Sequence, residues 1–206
     1  ELVSAGLVSA EDDLLLVSRN AMSVRFHATD AQLRPMGRGT SGVTGMKFRD
    51  GDSLLSMQVI EAGTDPDVFV VFENGVAKRT AASEWTAKGR GTLGVMAAKS
   101  GKGGQLVGAL TVDEGDEVMV VMEKGKIVRS AVSEVRETGR NTQGVQFATP
   151  GKGDSIVAVA RNAEKEAEEI ADEQVGSDAN TADDAEVTNP SEDAVTAEND
   201  ESGDSE

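Results

Sequence analysis

The feature that most constrains the fold of this 206-residue chain is a seven-residue pattern that occurs three times. It reads Gly-Arg-x-Thr-x-Gly-Val, begins at Gly37, Gly89 and Gly139, and is spaced by 52 and 50 residues. A repeat of that length is typical of solenoids, propellers and arrays of small units. A repeated element also argues for a repeated task, such as contact with a long, regular partner, because catalytic constellations usually occur once.

Each of the three units that carry this pattern is predicted to contain about four short strands. An apolar run, a polar break and a basic strand-like segment precede the pattern, and a further apolar segment follows it. Asn74-Gly75 is a strong hairpin signal because both residues tolerate a positive φ. Glycine-rich clusters predict a second hairpin in each unit, at residues 50–52, 101–104 and 151–154.

The first strand of each unit is a continuous apolar run, as expected for strands buried on both faces between neighbouring sheets. Four strands at a period near 50 residues fit the blades of a propeller. We therefore predict an all-β fold for residues 1–162. Its architecture would be a β-pinwheel or propeller-like array of about three four-stranded blades.

Charge separates residues 163–206 from the rest of the chain. This tail contains 17 acidic residues and one lysine, a net charge of −16, whereas the remaining residues sum to −1. With almost no large apolar side chains, the tail cannot bury enough surface to offset its ordering entropy. We predict a mostly disordered acidic tail, in which the composition of residues 163–175 allows a short helix.

The residue inventory argues against most enzyme classes. The chain has no cysteine and no tyrosine, and His27 is its single histidine, with no nucleophile elbow nearby. No phosphate-binding P-loop string is present. Two loops match the glycine fingerprint of dinucleotide sites, but a strand-like segment rather than a helix follows the first of them. The chain is therefore expected to be non-catalytic and to hold no cofactor or metal.

Basic residues recur at matching positions of the units and are the candidate DNA-binding residues. Four lie on second strands, three lie in the glycine-rich loops and one precedes a loop: Arg25, Lys78, Arg79, Arg129, Arg38, Arg90, Arg140 and Lys88. A belt of cations at blade spacing could follow a phosphate backbone without reading bases. The alternative is that they are ordinary solvated charges, since a net charge of −1 is not the balance of a typical nucleic-acid binder.

Residues 33–46, 77–80, 108–110 and 139–145 closely resemble the C-terminal domain of the bacterial DNA gyrase A subunit, and the resemblance covers roughly residues 1–162. It implies a six-bladed β-pinwheel that wraps duplex DNA on its rim to support ATP-dependent negative supercoiling. The three units would be its C-terminal half, in a fragment of a longer protein, and residues 1–8 would be a strand of the preceding blade.

The resemblance also implies the partners, the cofactors of the whole enzyme and its location in the cell. The partners would be duplex DNA, the rest of the gyrase A protein and its B partner in an A2B2 heterotetramer. ATP and Mg²⁺ would bind other parts of this type II topoisomerase, and the location would be cytoplasmic, at the nucleoid and without membrane contact. The family's Gln-Arg-Arg-Gly-Gly-Lys-Gly wrapping motif is missing, so strong wrapping by this piece alone is not expected.

Two alternatives remain open at this stage. The first is the related C-terminal domain of the topoisomerase IV A subunit, and the second is a propeller-type scaffold for protein interactions. The acidic tail is expected either to temper DNA binding by competing with phosphate or to act as a solubility tail.

Overall fold

The computed structural model describes residues 2–99, 101 and 104–162, and within them the chain forms only strands, short 3₁₀ turns and loops. The strands are β1 (Asp13–Ser18), β2 (Met22–His27), β3 (Leu54–Ile60), β4 (Asp67–Phe72), β5 (Val76–Ala81), β6 (Val95–Met96), β7 (Leu106–Val112), β8 (Glu117–Met122), β9 (Ile127–Ala131), β10 (Val145–Gln146) and β11 (Ile156–Arg161). The 3₁₀ turns span Ala82–Glu84 and Val132–Glu134. The predicted acidic tail and its short helix lie outside the described residues.

The strands form three antiparallel sheets, one for each repeat, which we call blades 1, 2 and 3. Their orders are β3-β1-β2-β6, β10-β5-β4-β7 and β11-β8-β9. The prediction of an all-β array of about three blades is confirmed, with the third sheet showing three strands in the described part of the chain. The fourth strand of blades 1 and 2 comes from the following repeat, so consecutive units are interlocked.

Burial on both faces explains the apolar first strands of the first two repeats, whereas alternate residues of β8 in the third repeat are only partly buried. The prediction of two buried faces is therefore wrong for that strand. All six residues of β1 and five of the six residues of β4 are buried. Successive side chains of a strand point to opposite faces. Along β4, Val68, Val70 and Phe72 join one core cluster, whereas Phe69 and Val71 join another. Blade 2 therefore supplies side chains to two cores, one on each side, as the continuous apolar pattern predicts.

The first predicted hairpin is confirmed and the second is wrong. Gly75 has φ +85° in the tight turn between β4 and β5, where the Val76 amide donates to Asn74 Oδ1 at 3.1 Å. The short strands β6 and β10 do not fold back on β7 and β11. They pair instead with β2 and β5 of the preceding repeat, because the outer edge of each blade offers an unfilled row of backbone groups.

The prediction of a strand at residues 1–8 is also wrong for the described residues 2–8. A Cβ built at Gly6 would lie 3.7 Å from Val59 Cγ2, so this segment runs alongside β3. It forms no ladder, however. The corresponding strands β3, β7 and β11 each pair with the first strand of a blade, and no such partner lies beside residues 2–8 in the described part of the chain.

Candidate nucleic-acid interface

The loops that carry the repeated pattern close the junctions between blades. The Lys88 amide donates to the Arg25 carbonyl at 2.8 Å, and the equivalent Thr138 amide donates to the Arg79 carbonyl at 2.9 Å. A second equivalent pair joins Ala97 to the Ala21 carbonyl and Phe147 to the Gly75 carbonyl, at 2.8 and 3.0 Å. The same backbone pattern thus joins the second and third loops to the β1–β2 and β4–β5 hairpins of the preceding blades.

The loop arginines Arg90 and Arg140 repeat one arrangement at both junctions. Arg90 Nε donates to the Gln32 carbonyl at 2.7 Å, and its Nη1 donates to the Thr44 carbonyl at 3.1 Å. Arg140 donates in the same way to the Glu84 and Met96 carbonyls, at 3.3 and 2.6 Å. Both guanidinium groups therefore hold the loop of the preceding repeat, while part of each side chain stays exposed.

The strand arginines form ion pairs with acids at the start of the first strand, twelve residues earlier in each repeat. The Nε–carboxylate distances are 2.7 Å for Arg25–Asp13, 3.4 Å for Arg79–Asp67 and 2.6 Å for Arg129–Glu117. The partners lie on one face of neighbouring antiparallel strands, and this pairing was missed in the sequence. The constant spacing of acid and arginine was the signal that could have revealed it.

At the second junction, between blades 2 and 3, burial affects both members of the Arg79–Asp67 ion pair. Burial raises the pKa of the Asp67 carboxyl above its ordinary value, and the Arg79 guanidinium offsets part of that effect. Arg79 has only 7% of its side chain exposed, and its Nη2 also approaches Glu114 Oε1 at 3.6 Å. Its Nε and Nη1 make no hydrogen bond within the described residues.

Lys78 is buried where the other two repeats carry valine, Val24 and Val128. The residue is 1% exposed, and its Nζ donates to the Ala97 carbonyl at 3.1 Å and to the Arg140 carbonyl. Burial, followed by repulsion from Arg140, lowers the pKa of Lys78 to about 8, while Glu84 raises it. Lys78 therefore ties the loops of two successive repeats together.

The eight predicted DNA-binding side chains do not share one environment. Arg38, Lys88 and Arg129 are exposed, Arg25, Arg90 and Arg140 are partly buried, and Lys78 and Arg79 are buried. In this structure, the two buried side chains face the protein rather than a rim. Other exposed cations lie on the loops that follow the repeated pattern, at Lys47, Arg49, Lys99 and Lys152.

Three of the eight residues meet in one cleft, to which each repeat contributes one cation. Arg25 of the first repeat, Lys88 of the second and Arg140 of the third line a cavity of about 90 Å³. Trp85 and Glu84 also line it. We call this site the three-repeat cleft. Its lining carries three positive charges and one negative charge, so the folded chain concentrates positive charge there although residues 1–162 sum to −1.

The glycines of the repeated pattern have different roles. A Cβ at Gly37, Gly39 or Gly89 would meet nothing within 4 Å, so packing within the described structure does not require glycine at these positions. Gly94 differs because it has φ +74° and a Cβ there would overlap the Ser23 carbonyl oxygen. Gly94 is therefore required by the blade junction, whereas Gly37, Gly39 and Gly89 leave the loop backbone accessible.

His27 lies at the surface with 63% of its side chain exposed, and its Nδ1 is 2.6 Å from Asp13 Oδ1. Among the described residues, no three His, Asp or Glu side chains are grouped to hold a metal ion. Within the same residues, we find no helix with the length and apolar character needed to span a membrane.

Comparison with known proteins extends over all three repeats. The family model described as the DNA gyrase C-terminal domain, a β-propeller, matches residues 12–61, 67–113 and 116–162. The DNA gyrase A protein of Streptomyces coelicolor is 59% identical over 118 residues, which are 57% of this chain and 14% of that protein. The corresponding gyrase A protein of Mycolicibacterium smegmatis is 46% identical over 188 residues, covering 91% of this chain and 22% of that protein. The chain thus spans less than a quarter of the length of either relative.

Solved structures give the same fold. A DNA gyrase A C-terminal domain superposes with a TM-score of 0.66 at 31% identity, covering 75% of this chain and 52% of that one. The C-terminal domain of a DNA topoisomerase IV superposes with a TM-score of 0.71 at 21% identity, covering 82% and 52%. At that identity, the second likeness bears on the fold alone.

Proposed function

We propose, because the chain belongs to the DNA gyrase C-terminal domain family, that it is a DNA-binding and DNA-wrapping module of the gyrase A protein. The observation that carries this proposal is the family match, which extends over each of the three repeats. Exposed cations on successive repeats are suited to hold the phosphates of one duplex, with little direct reading of base sequence. Bending the duplex costs several kcal/mol, on the order of 1–6, so many weak contacts must act together.

The holoenzyme provides the rest of the proposed activity. We expect the chain to act with the remainder of the gyrase A protein and with its B partner in an A2B2 heterotetramer. ATP and Mg²⁺ would bind there, outside this chain, and support ATP-dependent negative supercoiling. The expected site of action is the cytoplasm, at the nucleoid.

Fluorescence anisotropy of a labelled duplex of about 40 base pairs, several helical turns long, tests the proposal. Phosphate contacts release counterions, so log K should fall linearly with log salt, with a slope of about −0.9 for each contacted phosphate. Unrelated duplex sequences should bind with similar affinity. Salt-insensitive binding, or no binding by a folded sample, would count against a DNA-binding role and favour a protein-interaction scaffold.

We also propose that the acidic tail tempers DNA binding. Its net charge of −16 is tethered to a domain with exposed cations, which gives it a high effective concentration as a competitor of phosphate. Residues 1–162 should then bind the same duplex more tightly than residues 1–206, and the difference should shrink as salt is added. Equal duplex affinities of residues 1–162 and residues 1–206 at low salt would contradict this proposal and favour a role of the tail in solubility.

A further inference from the structure

We propose that the three-repeat cleft seats a single tetrahedral oxyanion, which in the complex is one backbone phosphate of the bound duplex. The proposal rests on the DNA-binding function above and adds to it a defined subsite, its ligand and the residue that controls it. Its basis is the meeting of one cation from each repeat around a small cavity.

The size of the cleft limits what it can hold. The cleft has about 90 Å³ of room, which admits several water molecules or one small group. Sites that enclose drug-sized ligands are larger, about 300–1,000 Å³, so the cleft is better matched to a small group than to a whole organic ligand. A small inorganic anion or a phosphate group of a backbone would fit.

The donors around the cleft are suited to an oxyanion. Within the described residues, Arg25 and Arg140 make their side-chain hydrogen bonds through Nε and Nη1, which leaves the Nη2 group of each without a partner there. Lys88 is exposed, and its ammonium makes no hydrogen bond in that part of the chain. Because their other nitrogens are fixed by backbone carbonyls and Asp13, the two guanidinium groups are positioned before a ligand arrives.

The charge balance is also favourable. Asp13 pairs with Arg25 at 2.7 Å, and the Glu84 carboxylate accepts the Arg140 amide at 3.2 Å. Asp13 and Glu84 together offset two of the three cations Arg25, Lys88 and Arg140, which leaves a surplus of one positive charge. The surplus positive charge includes the Lys88 ammonium, which the described structure leaves available for a charge-assisted hydrogen bond to a phosphate oxygen.

The second junction provides an internal comparison. A cavity of the same volume, about 90 Å³, lies at the equivalent position and is lined by Lys78, Val135, Arg136 and Thr138 among others. Lys78 is already bonded to two carbonyls, and Thr138 occupies the position of Lys88. Arg136 is exposed at this second cavity, but no counterparts of Arg25, Lys88 and Arg140 are among the basic residues that line it, so we assign the oxyanion seat to the first junction.

Trp85 makes the proposal measurable, since it is the single tryptophan of the chain and lines the cleft. It is 3% exposed, and its Nε1 donates to Ser23 Oγ at 2.7 Å. An anion that enters the cleft should change the emission of this indole. The probe is inorganic phosphate, added to the full 206-residue chain and compared with sodium chloride at equal ionic strength.

Lys88→Gln is the test variant because the side chain is exposed and its backbone contact with Arg25 is retained. Lys126→Gln removes the same charge from an exposed position outside the cleft and is the control. We expect a saturable Trp85 response in the wild type and in Lys126→Gln, and a loss of at least about tenfold in phosphate affinity in Lys88→Gln, given the strength of charge-assisted bonds. A response equal to that of chloride, or unchanged in Lys88→Gln, overturns the proposal.

A titration with duplex DNA distinguishes a backbone phosphate from free inorganic phosphate as the ligand of the cleft. If the cleft seats a backbone phosphate, the duplex should change Trp85 emission, and Lys88→Gln should reduce the salt slope by about 0.9, the value of one contact. If the duplex binds in a salt-sensitive way but Trp85 emission does not change and Lys88→Gln leaves the salt slope unchanged, the cleft proposal is overturned. The DNA-binding proposal would still stand. Saturable phosphate binding without duplex binding would instead contradict the proposed DNA function and leave an anion site for free phosphate.

Discussion

Replacing Lys78 with methionine should change how the stability of the protein depends on pH. The wild-type lysine is 1% exposed and contacts two backbone carbonyls, while valine occupies the same position in the other repeats. Methionine is unbranched and close to lysine in length, so it can follow the same path without the charge. The substitution therefore isolates the ionisation of one buried amine.

The magnitude follows from the pKa. Burial lowers the pKa of Lys78 from 10.5 to about 8 in the folded protein. Between these values the unfolded chain holds more protons than the folded one, so the free energy of unfolding rises with pH. At about 1.36 kcal/mol per unit, the upper limit of this gain is about 3 kcal/mol, and we expect about 1–3. Below pH 8 both states are protonated, so the contribution no longer varies.

Urea unfolding of the wild type and Lys78→Met at pH 7, 8, 9 and 10 measures this difference. The chain has no tyrosine or cysteine to titrate in the same range. The variant should lack the rise in stability above pH 8, so the stability of the wild type relative to the variant should increase by about 1–3 kcal/mol between pH 8 and pH 10. Parallel pH profiles for the two proteins would mean that Lys78 is not buried as a lysine of lowered pKa, and would refute the reasoning.

Four further substitutions test individual positions in the blades and in the loops between them. Gly94→Ala should lower the free energy of unfolding by at least about 2 kcal/mol, because it places a Cβ at φ +74° against the Ser23 carbonyl. The control Gly89→Ala should change that free energy by no more than about 0.5 kcal/mol, and equal urea midpoints for the two variants would contradict this. Thr80→Val should be neutral or stabilising by up to about 1 kcal/mol, since the buried hydroxyl has no partner in the described residues, and a clear loss would reveal a hidden hydrogen bond. Arg90→Ala should cost about 1–3 kcal/mol by removing donors from two carbonyls of the preceding repeat, and an unchanged midpoint would show that this contact adds no stability.

Much of the fold could be predicted because the repeats present the same pattern three times. Apolar first strands, the turn at Asn74-Gly75 and the 50-residue period together identify the blades. The pairing of β6 with β2 could not be read in this way. A two-residue strand carries almost no pattern, and the glycine cluster after it resembles an ordinary hairpin turn, so the sequence favours the nearest strand as the partner rather than the correct one.

The candidate site was harder to predict because a basic residue looks the same in sequence whether it contacts a ligand or a carbonyl. Arg79 has arginine counterparts in the other repeats and Lys78 has valine counterparts, yet both side chains are buried. Asp13, Asp67 and Glu117 were the available clue, since each lies twelve residues before a strand arginine. The three-repeat cleft could not be predicted from spacing, because it depends on how Arg140 of the third repeat reaches the second.

The central claim is that successive repeats hold one continuous stretch of duplex DNA. Energy transfer between dyes placed about 20 base pairs apart within a duplex of about 40 base pairs, titrated with the full chain, tests it most directly, because about 20 base pairs at about 3.4 Å each keep the dyes within range. The duplex is short against a persistence length of about 150 base pairs, so the free DNA is nearly straight. The account predicts a modest rise in transfer together with salt-sensitive binding, because three blades bend the duplex in part. Binding that leaves the distance between the dyes unchanged would contradict it.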